Sequence, residues 1–139
     1  TKLMSALECP QVAERFHFAR AIEHLEKGRL LLFVGGTGHP YFTTDTAAAL
    51  RASEIKADIL LKATTRVDAI YDKDPLQHHD AKPFTKISYE EFLARKLGIL
   101  DLTAITLCMS NRIPVRVFNF SKCTLWEALE GSFGTLIGM

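Results

Sequence analysis

The stretch from Leu30 to Ala52 constrains this chain more than any other. A short apolar run, Leu30-Leu31-Leu32-Phe33-Val34, is closed off by Gly28 on one side and Gly35-Gly36-Thr37-Gly38 on the other. A strong helix former, Asp45-Thr46-Ala47-Ala48-Ala49-Leu50-Arg51-Ala52, follows within a few residues. An unalternated apolar run of that length predicts a strand buried on both faces. Strand, glycine loop and helix in succession make the opening unit of an α/β sheet. Glycines let backbone approach a ligand and aim its N–H groups inward, and a helix start adds partial positive charge, so the loop suits a phosphate. Thr37, Thr43 and Thr44 add hydroxyls, while Tyr41 and Phe42 are placed to cover a flat base. The plainer alternative is a tight turn whose aromatic pair is tucked into the core. Two familiar phosphate motifs are absent. No glycine of the loop is followed by Lys, as a P-loop requires, and bulky Tyr41 fills the third position of a dinucleotide fingerprint.

The pattern continues along the chain. Lys2 to Leu7 is expected as a short strand, followed by a helix ending near Lys27 at Gly28, with Ala19, Ile22 and Leu25 as its inner stripe. Asp58 to Leu61 is expected as a second buried strand with Lys62 at its carboxyl end. Thr64 to Thr85 carries two prolines and many polar residues and is expected mostly as loop. Ser88-Tyr89-Glu90-Glu91 has the spacing of a capping box, opening a helix to Gly98. Further elements are a helix from Asp101 to Asn111, a buried strand from Val115 to Phe118, a second capping box at Thr124-Leu125-Trp126-Glu127 and a closing strand at Thr135 to Ile137. Buried strands alternating with helices imply a parallel, doubly wound α/β architecture in one compact unit, residues 1–139. Ligands in such sheets sit beyond the carboxyl ends of the strands. That edge takes in the loops after Val34 and Leu61 and the turn after Phe118.

In the second of these loops, Lys62, Thr64 and Thr65 suit phosphates or ribose, Tyr71 suits stacking on a purine, and Asp74 can accept from ribose hydroxyls or base. The alternative is a solvated loop in which Asp74-Pro75 starts a turn. Asp101 reads as a helix cap or as a carboxylate that orients a lysine or a metal-bound phosphate. Adjacent His78 and His79 make a poor metal pair, and His17 and His24 have no partner ligand in the sequence, so no metal-ligating set is expected. Trp126 and Phe133 are expected in the core, and Cys108 as a packed thiol.

Composition narrows the function. With 17 Lys and Arg against 16 Asp and Glu, the formal charge of +1 gives no electrostatic case for a nucleic-acid or membrane surface. The longest apolar run falls far short of the roughly 20 residues of a membrane helix, and the N-terminus lacks the apolar stretch of a secretory signal. Cys9, Cys108 and Cys123 are widely spaced and read as reduced thiols of a cytoplasmic protein.

Taken together, these segments resemble the C-terminal half of bacterial UMP kinase (uridylate kinase), in the amino-acid kinase superfamily. The residues that carry the resemblance are Gly36-Thr37-Gly38, Pro40-Tyr41-Phe42-Thr43-Thr44-Asp45-Thr46-Ala47-Ala48, Leu61-Lys62-Ala63-Thr64, Val67-Asp68, Tyr71, Asp74-Pro75, Asp101-Leu102-Thr103-Ala104 and Pro114-Val115-Arg116-Val117-Phe118-Asn119. The resemblance implies the parallel-sheet sandwich of the amino-acid kinase (carbamate kinase-like) fold and phosphoryl transfer from ATP to UMP, giving UDP and ADP. It assigns Thr37, Gly38, His39, Pro40, Tyr41, Phe42, Thr43 and Thr44 to UMP. It assigns Thr64 or Thr65, Tyr71 and Asp74 to ATP, and Asp101 to the active centre. Magnesium would ride on ATP. By family likeness the assembly is a homohexamer, with GTP and UTP as effectors. This sequence has His39 where the family usually has Asn, one residue more at Thr65-Arg66, and Ala69 where Gly is common. The family's opening strand K-L-S-G-E and its G-G-G-N loop, which supply a catalytic lysine and a phosphate cradle, do not occur in the chain. The isolated polypeptide is therefore expected to turn over little or not at all. Alternatives are a non-catalytic nucleotide-binding module and a sister kinase acting on a carboxylate or carbamate.

Overall fold

A computed structural model describes residues 1–138. The elements in chain order are β1 (Lys2–Ser5), β2 (Glu14–Arg15), α1 (Phe18–Glu26), β3 (Leu31–Val34), α2 (Thr44–Glu54), β4 (Leu60–Thr64), β5 (Lys86–Ser88), α3 (Tyr89–Ala94), α4 (Leu102–Asn111), β6 (Val115–Asn119), α5 (Leu125–Glu130) and β7 (Thr135–Gly138). Strands and helices alternate from α1 to β4 and again from α4 to β7, while β1 and β2, β4 and β5, and α3 and α4 follow one another directly. The strands form two sheets rather than one: β2-β1-β3, all parallel, and β4-β6-β7-β5. In the second sheet β4 pairs parallel with β6 and β5 parallel with β7, but β6 and β7 run antiparallel. The expected all-parallel sheet is therefore mixed, because only the short α5 separates β6 from β7 and the chain turns back.

Side-chain caps set where the helices start. Thr43, Ser88, Asp101 and Thr124 each accept a hydrogen bond from the backbone N–H three residues on, satisfying a donor that has no partner within the helix. Thr124 and Glu127 complete the reciprocal capping box; at Ser88 only the serine half forms. Phe92, Ile105 and Cys108 from α3 and α4, with Val115, Val117 and Ile137 from β6 and β7, are fully or nearly fully buried and make the core of the second sheet. Gly134 has φ +78°, and a Cβ there would lie 2.0 Å from the Val117 carbonyl oxygen, so no other residue fits where β7 enters beside β6.

Several expectations fail for one reason: local pattern does not reveal what lies outside an element. All five residues of β6 are buried as expected, yet β3 is half-exposed at Leu32 and Val34 instead of buried on both faces, because it pairs only with β1. α1 buries Ala21 and His24, not the stripe Ala19, Ile22 and Leu25. His24 is held by polar neighbours: its Nε2 lies 3.2 Å from Glu14 Oε2, and its Nδ1 accepts from Arg29 Nη1 at 2.8 Å. β1 ends at Ser5, β4 runs to Thr64 and so places Lys62 mid-strand, and α3 stops at Ala94, before Gly98, with Lys96 turning the chain at φ +52°. Trp126 and Phe133 are exposed rather than in the core: Trp126 stands on the solvent side of α5, and Phe133 lies in the turn that follows it. Cys108 is packed as expected, and burial pushes its thiol up to about 11.

Candidate active site

The glycine loop leaves β3 through Gly35 and Gly36 (φ +79° and +61°) and turns at Gly38, whose N–H donates to the Gly35 carbonyl at 3.0 Å. At Gly38 a Cβ would meet the Ala6 carbonyl oxygen at 3.2 Å, so the loop sits tightly on the end of β1. Thr37 Oγ1 accepts from the His39 N–H at 3.2 Å and stiffens the bend. Arg51, on α2, donates from Nη2 to the Gly36 carbonyl at 3.2 Å, fixing the loop from behind. Tyr41 takes φ +71° and is fully exposed, and Phe42 is more than half exposed. The aromatic pair is thus not tucked into the core: it stands out over the loop, where a flat ligand could meet it.

The loop ends on Thr43, the cap of α2, and here the structure joins two regions far apart in sequence. Asp101, the cap of α4, accepts from Thr43 Oγ1, from Thr46 Oγ1 at 3.0 and 3.1 Å, and from the Ala104 N–H at 2.7 Å. Burial pushes the Asp101 carboxyl up, but the donors Thr43, Ala104 and Thr46 outweigh it and hold it below the usual carboxylate range. Asp101 is thus the helix cap that one reading expected, and its carboxylate also accepts from the two threonine hydroxyls at the head of α2. Beside it, Lys62 on β4 pairs with Asp45 in the first turn of α2, so the segment after the loop is tied to the second sheet as well.

The other candidate residues divide. Tyr71 and Asp74 share a cavity of about 450 Å³ with Val67, Pro75, Lys96 and Gly98. Asp74 Oδ1 accepts from the Leu76 N–H at 2.9 Å, shaping the turn on the cavity's rim. Thr64 and Thr65 do not line it. Thr64 instead ends β4 and donates to the Val67 carbonyl, supporting the loop from outside, while Thr65 is exposed. Asp68, named in the sequence only for the resemblance and given no role there, ties the carboxyl ends of β4 and β6 together by accepting from Asn119 Nδ2 at 3.0 Å and Lys122 Nζ at 2.7 Å. These bonds, Lys122's first, hold its carboxyl below the usual range. Sequence reasoning missed Lys96 and Gly98, taken as the end of a helix; the only signal was a glycine in a segment where α3 had already closed.

A glycine loop at the end of β3, a cavity of about 450 Å³ beyond β4 and the Asp101 carboxylate tied to Thr43 are the features that any assignment has to accommodate. The chain matches the amino acid kinase family over residues 3–119 and belongs to that family. Among curated relatives, the uridylate kinase of Protochlamydia amoebophila is 56% identical over 122 residues, covering 88% of this chain and 48% of that protein. The uridylate kinase of Chlamydia abortus is 49% identical over 137 residues, covering 98% and 56%. A solved UMP kinase from Bacillus anthracis superposes with a TM-score of 0.94 at 32% identity, covering 99% of this chain and 57% of that one. The chain thus spans about half the length of the relatives it matches.

Proposed function

We infer that this chain carries the UMP-binding loop and the ATP side of a UMP kinase, which moves the γ-phosphoryl group of ATP onto UMP to give UDP and ADP. The observation that carries the reading is the junction at Asp101, which locks the end of the glycine loop to the head of α4. Phosphoryl transfer asks little covalent chemistry of the protein; it needs two phosphates held in line and their charge neutralised.

On this reading Gly35 to Thr44 receive UMP, with loop N–H groups, the Thr37 and Thr44 hydroxyls and the first turn of α2 facing its phosphate, and Tyr41 or Phe42 covering the uracil. Tyr71 stacks on the adenine in the cavity it shares with Asp74, and Asp74 receives the ribose. Thr64 and Thr65 shape the loop between. Asp101 keeps Thr43 and Thr46 fixed, so the acceptor loop does not have to reorganise as charge develops. Magnesium would ride on the phosphates of ATP and, when bound there, neutralise charge on the transferred group. Cytoplasmic location, a hexameric assembly and GTP or UTP control belong to the same reading.

The relatives' greater length favours a second reading, in which this chain alone binds nucleotide without turnover. A coupled assay of UDP formation separates the two. The expected result is negligible turnover by the 139-residue chain with nucleotide binding retained; rates typical of kinases would contradict it, and the absence of both turnover and binding would remove the nucleotide reading altogether.

A further inference from the structure

We propose, on the reading of the glycine loop as the UMP site, that Arg51 is a positioning residue: from behind the loop it holds the Gly36–Thr37 peptide so that the Thr37 N–H is aimed at UMP. Arg51 stands on α2 and is only 8% exposed. A guanidinium in such a place is costly unless its donors are used. Here they are used. Nη1 pairs with Glu54 one turn on, Nη2 donates to the Gly36 carbonyl at 3.2 Å, and Cζ lies 3.8 Å from the centroid of the Phe16 ring.

The peptide that Arg51 grips is the one the loop leaves loose. Gly38 N–H donates to the Gly35 carbonyl at 3.0 Å, which makes Gly36 and Thr37 the central residues of a β-turn. Gly36 has φ +61° and Thr37 a negative φ, the pattern of a type II′ turn. A Cβ at Gly36 would meet nothing within 4 Å, so backbone conformation and not space asks for glycine there. The peptide between the two central residues takes no part in the closing bond, and turn types differ in which way it faces. Its C=O and N–H point in opposite directions, so an Arg51 that holds the carbonyl on one side presents the Thr37 N–H on the other. That N–H has no acceptor among the described residues, whereas those of Gly38 and His39 are taken by the Gly35 carbonyl and by Thr37 Oγ1. A cation on the carbonyl also polarises the peptide and strengthens its N–H as a donor.

Phe16 decides where the guanidinium lies. It belongs to the link between β2 and α1, its own N–H donates to the Ser5 carbonyl at 2.7 Å, and its ring meets Phe33 of β3 edge to face with centroids 5.5 Å apart. Phe16 is thus fixed to both β1 and β3, and Arg51 stacks on a surface that is already in place. Glu54, on the other nitrogen, balances the charge without reaching the loop. The hold on the Gly36–Thr37 peptide is therefore assembled from the β2–α1 link and from α2, and neither Arg51 nor Phe16 has to touch the nucleotide to act.

UMP and ATP are titrated separately into the 139-residue chain and its variants, with Thr37 followed through its 15N-labelled amide. Arg51→Met keeps a stem of similar length but no donor; UMP affinity is expected to fall about tenfold while ATP affinity stays within about twofold. The Thr37 amide proton, moved downfield by UMP in the unsubstituted chain, is expected to stay put in Arg51→Met. Phe16→Leu leaves the loop and Arg51 in place but takes away the stacking face. It is expected to weaken UMP about threefold and to add nothing to Arg51→Met in the double variant. Unchanged UMP affinity in Arg51→Met, equal losses for UMP and ATP, or fully additive effects of the two substitutions would overturn the proposal. So would an Arg51→Met chain that does not fold combined with a Phe16→Leu chain that binds UMP normally. An unsubstituted chain that binds ATP but no UMP would instead overturn the reading of the loop, and the role of Arg51 with it.

Discussion

Asp101 meets three donors with one carboxylate, and each tie has a measurable consequence. Asp101→Asn loses an acceptor oxygen at the Thr43, Thr46 and Ala104 junction, and about 1–2 kcal/mol of stability is expected to go with it. In a full-length UMP kinase that carries these residues, the same change should lower turnover far more than nucleotide affinity; unchanged turnover would leave Asp101 a helix cap and nothing more. Because its folded pKa lies below the ordinary 3.8, ionised Asp101 favours the folded state. That stabilisation is complete above the ordinary value and is lost as the pH falls through the folded one. Thermal melts from pH 7 to pH 2.5 should therefore show the wild-type advantage over Asp101→Asn shrinking below about pH 4; a gap that stays constant through that range would contradict the assignment. Gly134 is a purely steric case. A Cβ would collide with the Val117 carbonyl at a positive φ, so Gly134→Ala should cost roughly 2–4 kcal/mol in denaturant unfolding, and a loss under 1 kcal/mol would show that β7 can shift.

At the scale of elements, β6 carries an unusual residue. Arg116 is buried, its Nε has no hydrogen-bond partner, and no acidic side chain pairs with it among the described residues. Burial pulls its guanidinium below the ordinary value. An uncompensated buried charge is costly, and an apolar side chain of similar length is often better tolerated. Arg116→Met should raise the melting temperature of this chain; a fall of several degrees would show that Arg116 holds α5 in place.

Helices α2 and α4, strand β6 and the Thr124 cap were legible in the sequence, because caps and apolar runs are local signals. Two-residue β2 left no pattern to read. The exposure of β3, the outward face of Trp126 and the antiparallel turn of β7 depend on neighbours that no window of sequence contains. The site divides in the same way. The glycine loop was visible as a motif, whereas the Thr43–Asp101 bond spans 58 residues and shows only once the chain is folded. Thr64 and Thr65 sit outside the cavity for a local reason that was hidden: β4 runs three residues beyond its expected end.

Across the whole molecule, the two halves of the candidate site sit at the carboxyl ends of different sheets, the glycine loop after β3 and the cavity lined by Tyr71 and Asp74 after β4. The tie at Asp101 and the Lys62–Asp45 pair hold them in register. Thr44→Ala should thus weaken UMP binding several-fold while leaving ATP binding within about twofold; equal losses for both would count against the division. The most direct check follows the backbone amides of the 15N-labelled 139-residue chain as each nucleotide is added. UMP should move the resonances of Gly35 to Thr46, and ATP those of Val67 to Pro75 and Lys96 to Ile99. UMP shifts confined to the second set, or no shift near Gly35 at saturating UMP, would contradict the assignment of the glycine loop.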